Sequence, residues 1–444
     1  MSLAGNVDSQ SLGSKIPSKR WSFVIPVAVI MYMLAYLDRN NVAVILPFIG
    51  DDPSMQLTVA DKGLVTGIFF VGYMFLQIPA AILAQKWSAK NVVLILMTMW
   101  GLAAMATGLV QSRGQFLVAR FVLGFFEGGV WPAVLVLLAS WFPLKERARA
   151  NSLWMGALPL SSVIMAPLSG ILLDNFSWRT VLVLEGAPPI LWAIVWWFAV
   201  ADSPKKAKWI SAPERDYIET ALADDEAAKP KVGKSTYREA FKDRQVITLI
   251  VIYFCWMSGF YGFSLWLPAV IKDLTGGSAG MVGWITAIPY VFALGAMFAV
   301  SSWSDRTGNR KLAVAGPILI GVVAMVAGQL VHYSLLNIVL LCVVAMGVYA
   351  PYGSFWAIPA QMLRIEVLAF ALGLINALGN LGGFVGPYAV GWLTEKTGSD
   401  AAGYYALAGI LAVGALLTLF GVKTVTTATD TPGSISKSKG AVVV

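Results

Sequence analysis

An all-α integral membrane protein, with twelve transmembrane helices in two pseudo-symmetric six-helix bundles, is the fold class this sequence predicts. Three observations predict it. The 444 residues are 58% apolar and 13% charged, with 17 Trp, 22 Phe and a mean hydropathy of +0.72, whereas a water-soluble domain carries roughly a quarter of its residues as charges. Twelve apolar stretches are long enough to cross a bilayer, which takes about 20 residues. The first and second halves of the chain also come into register when shifted by about 220 residues.

The elements follow in chain order. Residues 1–21 form a polar tail without the apolar core of a signal peptide, so the first span directs its own insertion. Six spans follow at about 22–50, 62–84, 90–111, 115–140, 148–173 and 180–201, together making an N-terminal bundle over 22–201. The linker 202–244 carries ten basic and nine acidic residues. Within it, Ser211 and Glu214 have the Ser-x-x-Glu spacing of a capping box, which predicts a short surface helix. The C-terminal bundle, 245–422, has spans at about 245–271, 281–303, 311–331, 335–360, 367–394 and 401–422. The tail 423–444 is rich in Thr, Ser, Gly and Lys and reads as disordered.

Charge placement orients the chain. The tails, the linker and the loops on their side hold 25 Lys and Arg, against five on the opposite side: Lys62, Arg113, Arg179, Lys272 and Lys396. By the positive-inside rule both termini are cytoplasmic. The net charge of +8 is thereby accounted for by topology, without a nucleic-acid partner. One His, His332 at the outer end of the ninth span, and two Cys, Cys255 and Cys342 in apolar runs, argue against a metal site, and no cofactor is expected. No Gly-rich phosphate loop supports ATP-driven transport. No nucleophile and base stand at a spacing that suggests an enzyme.

The repeat is visible in matched segments. AILAQKWSAKN at 81–91 falls on SSWSDRTGNRK at 301–311, ILPFI at 45–49 on WLPAVI at 266–271, and Pro167 on Pro387. The second-half loop resembles the D-R-x-G-x-R-[RK] motif of the major facilitator superfamily, and that resemblance gives Asp305, Arg306 and Arg310 the role of a conformational latch. The first-half copy has Gln85 in place of the Asp and Ser88 in place of the Gly, so it lacks the matching carboxylate. Further segments, YLDRNNVAV at 36–44, GFFEGGVWPA at 124–133, WFPLKERARA at 141–150, WRTVLVLEGAPP at 178–189 and SPKKAKWISAPE at 203–214, resemble the anion:cation symporters of that superfamily. These import organic anions such as tartrate, sugar acids and aromatic acids.

Ionisable residues inside spans cost about 2.5–3.5 kcal/mol each and normally face a cavity or a partner. Five occur, all in the first half: Asp38, Arg39, Arg120, Glu127 and Glu185. With a rise of about 1.5 Å per residue, Asp38 and Arg39 lie roughly 15 Å below the outer end of the first span, and Glu127 lies roughly 18 Å down the fourth. Arg120 shares the face of Glu127 about 10 Å nearer the outside. The four can line one cavity if the first and fourth spans are neighbours, as the resemblance implies. Two arginines suit a carboxylate, while Asp38 and Glu127 are the expected proton carriers. Glu185 reads as an interfacial partner of Arg179.

Around these charges, Tyr32, Tyr36 and Asn40 repeat on one face of the first span, and Tyr73 and Gln77 on the second. Matched to the family, Tyr36, Arg39 and Tyr73 are the expected substrate contacts, with Arg120 beside them. Asn376 and Asn380 on the eleventh span are candidate donors to substrate hydroxyls. Trp256, Tyr261, Tyr352, Trp356, Ser161 and Ser162 are weaker candidates for cavity lining. The expectation is a monomeric, multi-pass plasma-membrane importer, bacterial inner membrane by resemblance, of a small organic anion by proton symport. Na⁺ coupling, anion exchange and a non-transporting sensor are the alternatives.

Overall fold

The computed structural model of the chain describes residues 18–49, 52, 54–227, 242–331, 333–362 and 365–422. The tail to residue 17, residues 228–241 of the linker, His332 and the tail 423–444 lie outside the described residues, and with them the expected disorder of that last segment. The described residues are helical almost throughout. Eleven helical segments are long and apolar enough to span, and one of them, Val59–Thr107, has 49 residues. At about 1.5 Å per residue it would measure roughly 73 Å, more than twice a hydrocarbon core of about 30 Å. It is two spans, because the chain turns at Ser88, whose backbone is extended and whose side chain caps the third span by accepting from the Asn91 N–H. The total is twelve.

Odd spans leave the side that carries the linker helix, here the linker side, and even spans leave the opposite, distal side. Several spans are interrupted part-way: the second after Phe75, the fourth at Gly129, the fifth at Gly156 and the eleventh after Gly379. The predicted surface helix is present at Ala212–Ala227. Its predicted capping box is not. Among the described residues Ser211 Oγ has no hydrogen-bond partner, and Glu214, 0% exposed, instead accepts from the backbone N–H groups of Lys19 and Arg20 at 3.1 and 3.2 Å and from the Arg20 guanidinium at 2.9 Å. Arg20 is also held by Glu146, at 2.8 Å.

Two further carboxylates repeat this arrangement. Asp225 accepts from the Leu144 N–H at 2.7 Å, at the start of the fifth span. Asp202 accepts from the Lys90 N–H at 2.9 Å and from Ser88 Oγ, at the start of the third. Each of the first, third and fifth spans thus has its positive N-terminal end met by an acid from the segment that follows the sixth span. The first-half loop, which has Gln85 where the motif has Asp, is thus met by a carboxylate from elsewhere, Asp202, 114 residues away from Ser88. In the second half, Gly308 takes the left-handed φ of +69° that ends the eighth span. Asp305, 69% exposed at its side chain, pairs with Arg310 at 2.5 Å across that turn, and Arg306 is exposed.

On the distal side the two bundles are in contact, and the contacts obey the 220-residue repeat. A Cβ on Gly63 would stand 2.4 Å from the Pro387 carbonyl oxygen, and one on Gly283 would stand 2.2 Å from that of Ala166. Likewise Gly170 lies against the Ala279 carbonyl and Gly391 against that of Val59. Only glycine permits backbones to come this close. The same symmetry places Asp174 on the Gly280 N–H at 3.0 Å and Glu395 on the Ala60 N–H at 3.0 Å. Lys272 also donates to the Pro47 carbonyl across the bundles. Nearby, Ser54 and then Arg179 hold the Asp52 carboxyl well below the usual carboxylate range. Arg179 is therefore engaged by Asp52, and its expected pairing with Glu185 does not occur.

Candidate functional site

The buried charges converge where the first, second, third and fourth spans meet the seventh. The GFFEGG segment explains how the fourth span comes so near. Gly124 and Gly128 lie against the carbonyl oxygens of Phe69 and Tyr73, where a Cβ would be only 2.0 Å away, so Glu127 between them is pressed into the gap beside the second span. Arg39 donates to Glu127 through Nε, at 3.0 Å, and through Nη2. Its remaining nitrogen, Nη1, donates to the Tyr261 hydroxyl of the seventh span at 3.0 Å. The rings of Tyr36, Phe69 and Tyr73 surround the guanidinium at 4.9–5.4 Å, a spacing at which ring faces attract a cation.

Asp38 turns the other way, towards the third span, where Trp100 Nε1 donates to it at 3.0 Å. Arg120 is close to both acids but spends its terminal nitrogens on the backbone carbonyls of Asp38 and Arg39, at 3.1 and 3.2 Å. It braces the first span at the point that carries the site. Among the described residues, one carboxylate oxygen of each acid, Asp38 Oδ1 and Glu127 Oε2, has no hydrogen-bond partner, and neither does the Tyr36 hydroxyl. The structure thus brings the four predicted charges together, in one direct ion pair and not as an open ring.

A second polar contact joins the bundles toward the linker side. Asn376 donates to Gln77 Oε1 at 2.8 Å, and Asn380 donates to Asn376. Gln77 and Asn380 both sit where their spans are interrupted, the places at which discontinuous helices present polar groups. Of the weaker candidates, Tyr261 belongs to the site. Trp256 donates to the Val348 carbonyl and Ser161 to that of Met33, each bracing one span on another, while Ser162 donates to that of Leu158 and lines a small cavity between the bundles. Trp356 faces Trp131 of the fourth span at 6.3 Å, and Tyr352 lies against Trp256. Tyr32 packs on Trp154.

Trp100 and Phe69 were not singled out from the sequence. An aromatic residue in an apolar run carries no periodic signal that marks its polar or ring-face contact. Two cavities of about 220 and 280 Å³ open on the distal side around Trp266, Asp273 and Asp400, away from Arg39. Arg39 is buried, and its three guanidinium nitrogens are engaged by Glu127 and Tyr261.

Comparison with known proteins adds the following. The chain matches the family model described as Major Facilitator Superfamily over residues 28–278 and 269–441. It is 34% identical over 402 residues to a putative tartrate transporter of Agrobacterium vitis, covering 89% of this chain and 92% of that protein. It is 32% identical over 401 residues to a quinolone resistance transporter of Acinetobacter baumannii, with the same coverage. Among solved structures it superposes on the D-xylose-proton symporter with a TM-score of 0.71 at 13% identity, over 90% of this chain and 98% of that one, a likeness of fold.

Proposed function

The chain belongs to the Major Facilitator Superfamily of transporters, and from that premise we propose that it imports a small organic anion together with protons. The observation that carries this reading is Arg39, a buried cation whose partners are a carboxylate of its own bundle and a phenol of the other. With Glu127 ionised, the guanidinium is neutralised. A proton on Glu127 weakens that ion pair and leaves a planar donor fork for a substrate carboxylate. Proton and anion then each favour the other's binding, as linkage requires.

The remaining roles follow from position. Tyr36, Tyr73 and Tyr261 wall the anion's site, and Asn376 and Asn380 with Gln77 offer amides to its hydroxyls. Arg120 fixes the first span and adds positive potential. Asp38 is a second proton carrier behind Arg39. The linker side is the cytoplasm by the basic bias of its loops, and the closed distal contacts would part as the bundles rock about the central site. The name of the tartrate relative favours a hydroxy dicarboxylate among the candidate substrates.

The test is uptake by purified protein in proteoliposomes, comparing tartrate, aldonates and aromatic acids under imposed proton or sodium gradients. Carboxylate accumulation that follows the proton gradient alone is the expected result. Accumulation driven by sodium, or exchange alone, would replace the coupling step. The name of the Acinetobacter relative supports a second reading, export of an aromatic drug, and the same vesicles loaded with a quinolone would reveal it.

A further inference from the structure

Behind Asp38 lies a third buried carboxylate to which the coupling step above gives no task. Glu185 of the sixth span is 2% exposed. Ser169 of the fifth span donates to its Oε1 at 2.5 Å, and its Oε2 has no partner among the described residues. Asn41 of the first span, one helical turn beyond Asp38, is its other polar neighbour. Among the described residues, Asn41 Oδ1 is also buried without a partner.

The charge count in this region does not close. Two guanidinium groups, Arg39 and Arg120, stand against three carboxylates, Asp38, Glu127 and Glu185. Arg39 is paired with Glu127, and Arg120 lies over the backbone of Asp38, so among the described residues no cation is paired with Glu185. The other titratable groups of the first, third and fifth spans, apart from Tyr32 and Tyr36, lie towards the span ends: Lys19, Arg20, Lys90, Lys145, Glu146, Arg147, Arg149 and Asp174. A buried carboxylate with no cation holds a proton instead of a charge, and Oε2, unpartnered among the described residues, is the oxygen left to carry it.

This corner also touches the moving interface. A cavity of about 20 Å³, room for a water molecule, is lined from the first bundle by Asn40, Asn41, Ser162 and Ser169 and from the second by Ser264, Thr286 and Tyr290. Separation of the bundles widens it. Asn41 and Ser169, which contact Glu185, then face water. Resting on the proton-coupled reading above, we propose that Glu185 is a proton-binding site in its own right, carrying one proton per cycle in addition to those of Asp38 and Glu127.

The experiment is the equilibrium accumulation ratio of the transported carboxylate in proteoliposomes at zero membrane potential, measured against the imposed pH difference. Each coupled proton multiplies that ratio about tenfold per pH unit, independently of turnover rate. Glu185→Gln is expected to accumulate about tenfold less per pH unit than the parent. An equal ratio in parent and variant overturns the Glu185 site and leaves proton coupling intact. A parent ratio that ignores pH overturns the coupling itself. Should Glu185→Gln not fold, Ser169→Ala serves, because it removes the one hydroxyl that stabilises the ionised acid. Its pH–rate profile is expected to move toward alkaline pH, and an unmoved profile overturns the site.

Discussion

Arg39 makes use of its shape as well as its charge. Three nitrogens reach two different partners while three rings press on the plane of the guanidinium, and a lysine ammonium reproduces neither the fork nor the stacking. Arg39→Lys should weaken carboxylate binding by about 100-fold, the loss of one or two charge-assisted hydrogen bonds. Equilibrium binding or ligand-induced thermal shift would read this, and near-parental affinity would move the anion site elsewhere. Glu127→Gln mimics the protonated acid. It should bind the anion at least as tightly as the parent and yet fail to accumulate it under a proton gradient. If the variant still accumulates, Glu127 does not couple. The four central charges, and the common depth of Asp38, Arg39 and Glu127, were legible in the sequence because burial of ionisable groups is costly enough to mark them. Which atom each would meet was not. Asp38 finding an indole and Arg120 finding two carbonyls depend on side-chain directions that helical spacing leaves open.

The linker helix shows the same limit for a whole element. Its presence at Ala212–Ala227 was legible, because a Ser-x-x-Glu spacing ahead of an acidic stretch is a local signal. The job of Glu214 was not, since its partners are 194 and 195 residues away. A helix N-terminus accepts any well-placed acid, and local pattern cannot say which. Glu214→Ala removes two backbone hydrogen bonds and half of the cage around Arg20. It should lower stability by about 3 kcal/mol, within the range for breaking a buried ion pair. Glu219→Ala, whose partner Lys205 is mostly exposed, should change it by less than about 1 kcal/mol. Unfolding of the detergent-solubilised protein would compare them, and equal losses would show that Glu214 is no more than a surface acid. Span boundaries were legible to within a few residues. The interruptions after Phe75 and Gly379 were not, because the runs around them stay apolar.

At the scale of the molecule the 220-residue repeat was visible as scattered matches, and the fold turns it into paired contacts: Gly63 with Pro387 against Gly283 with Ala166, and Glu395 at Ala60 against Asp174 at Gly280. These join the two bundles on the distal side. Removing both charges, as Asp174→Asn with Glu395→Gln, should cost the closed state on the order of 1 kcal/mol and shift the ratio of distal-closed to distal-open molecules about fivefold. Spin-label distances across the distal ends would show it, and an unchanged distribution would leave the glycine contacts as the whole of the closure. The three acids Asp202, Glu214 and Asp225 all serve spans of the first bundle. The linker helix is therefore a structural part of that bundle and not a hinge shared by two. Severing the polypeptide anywhere between residues 228 and 241 should yield two self-sufficient fragments, each carrying its own helix caps. Co-expressed from separate genes, they should reassemble in the membrane and restore uptake, whereas a break before residue 202 should not.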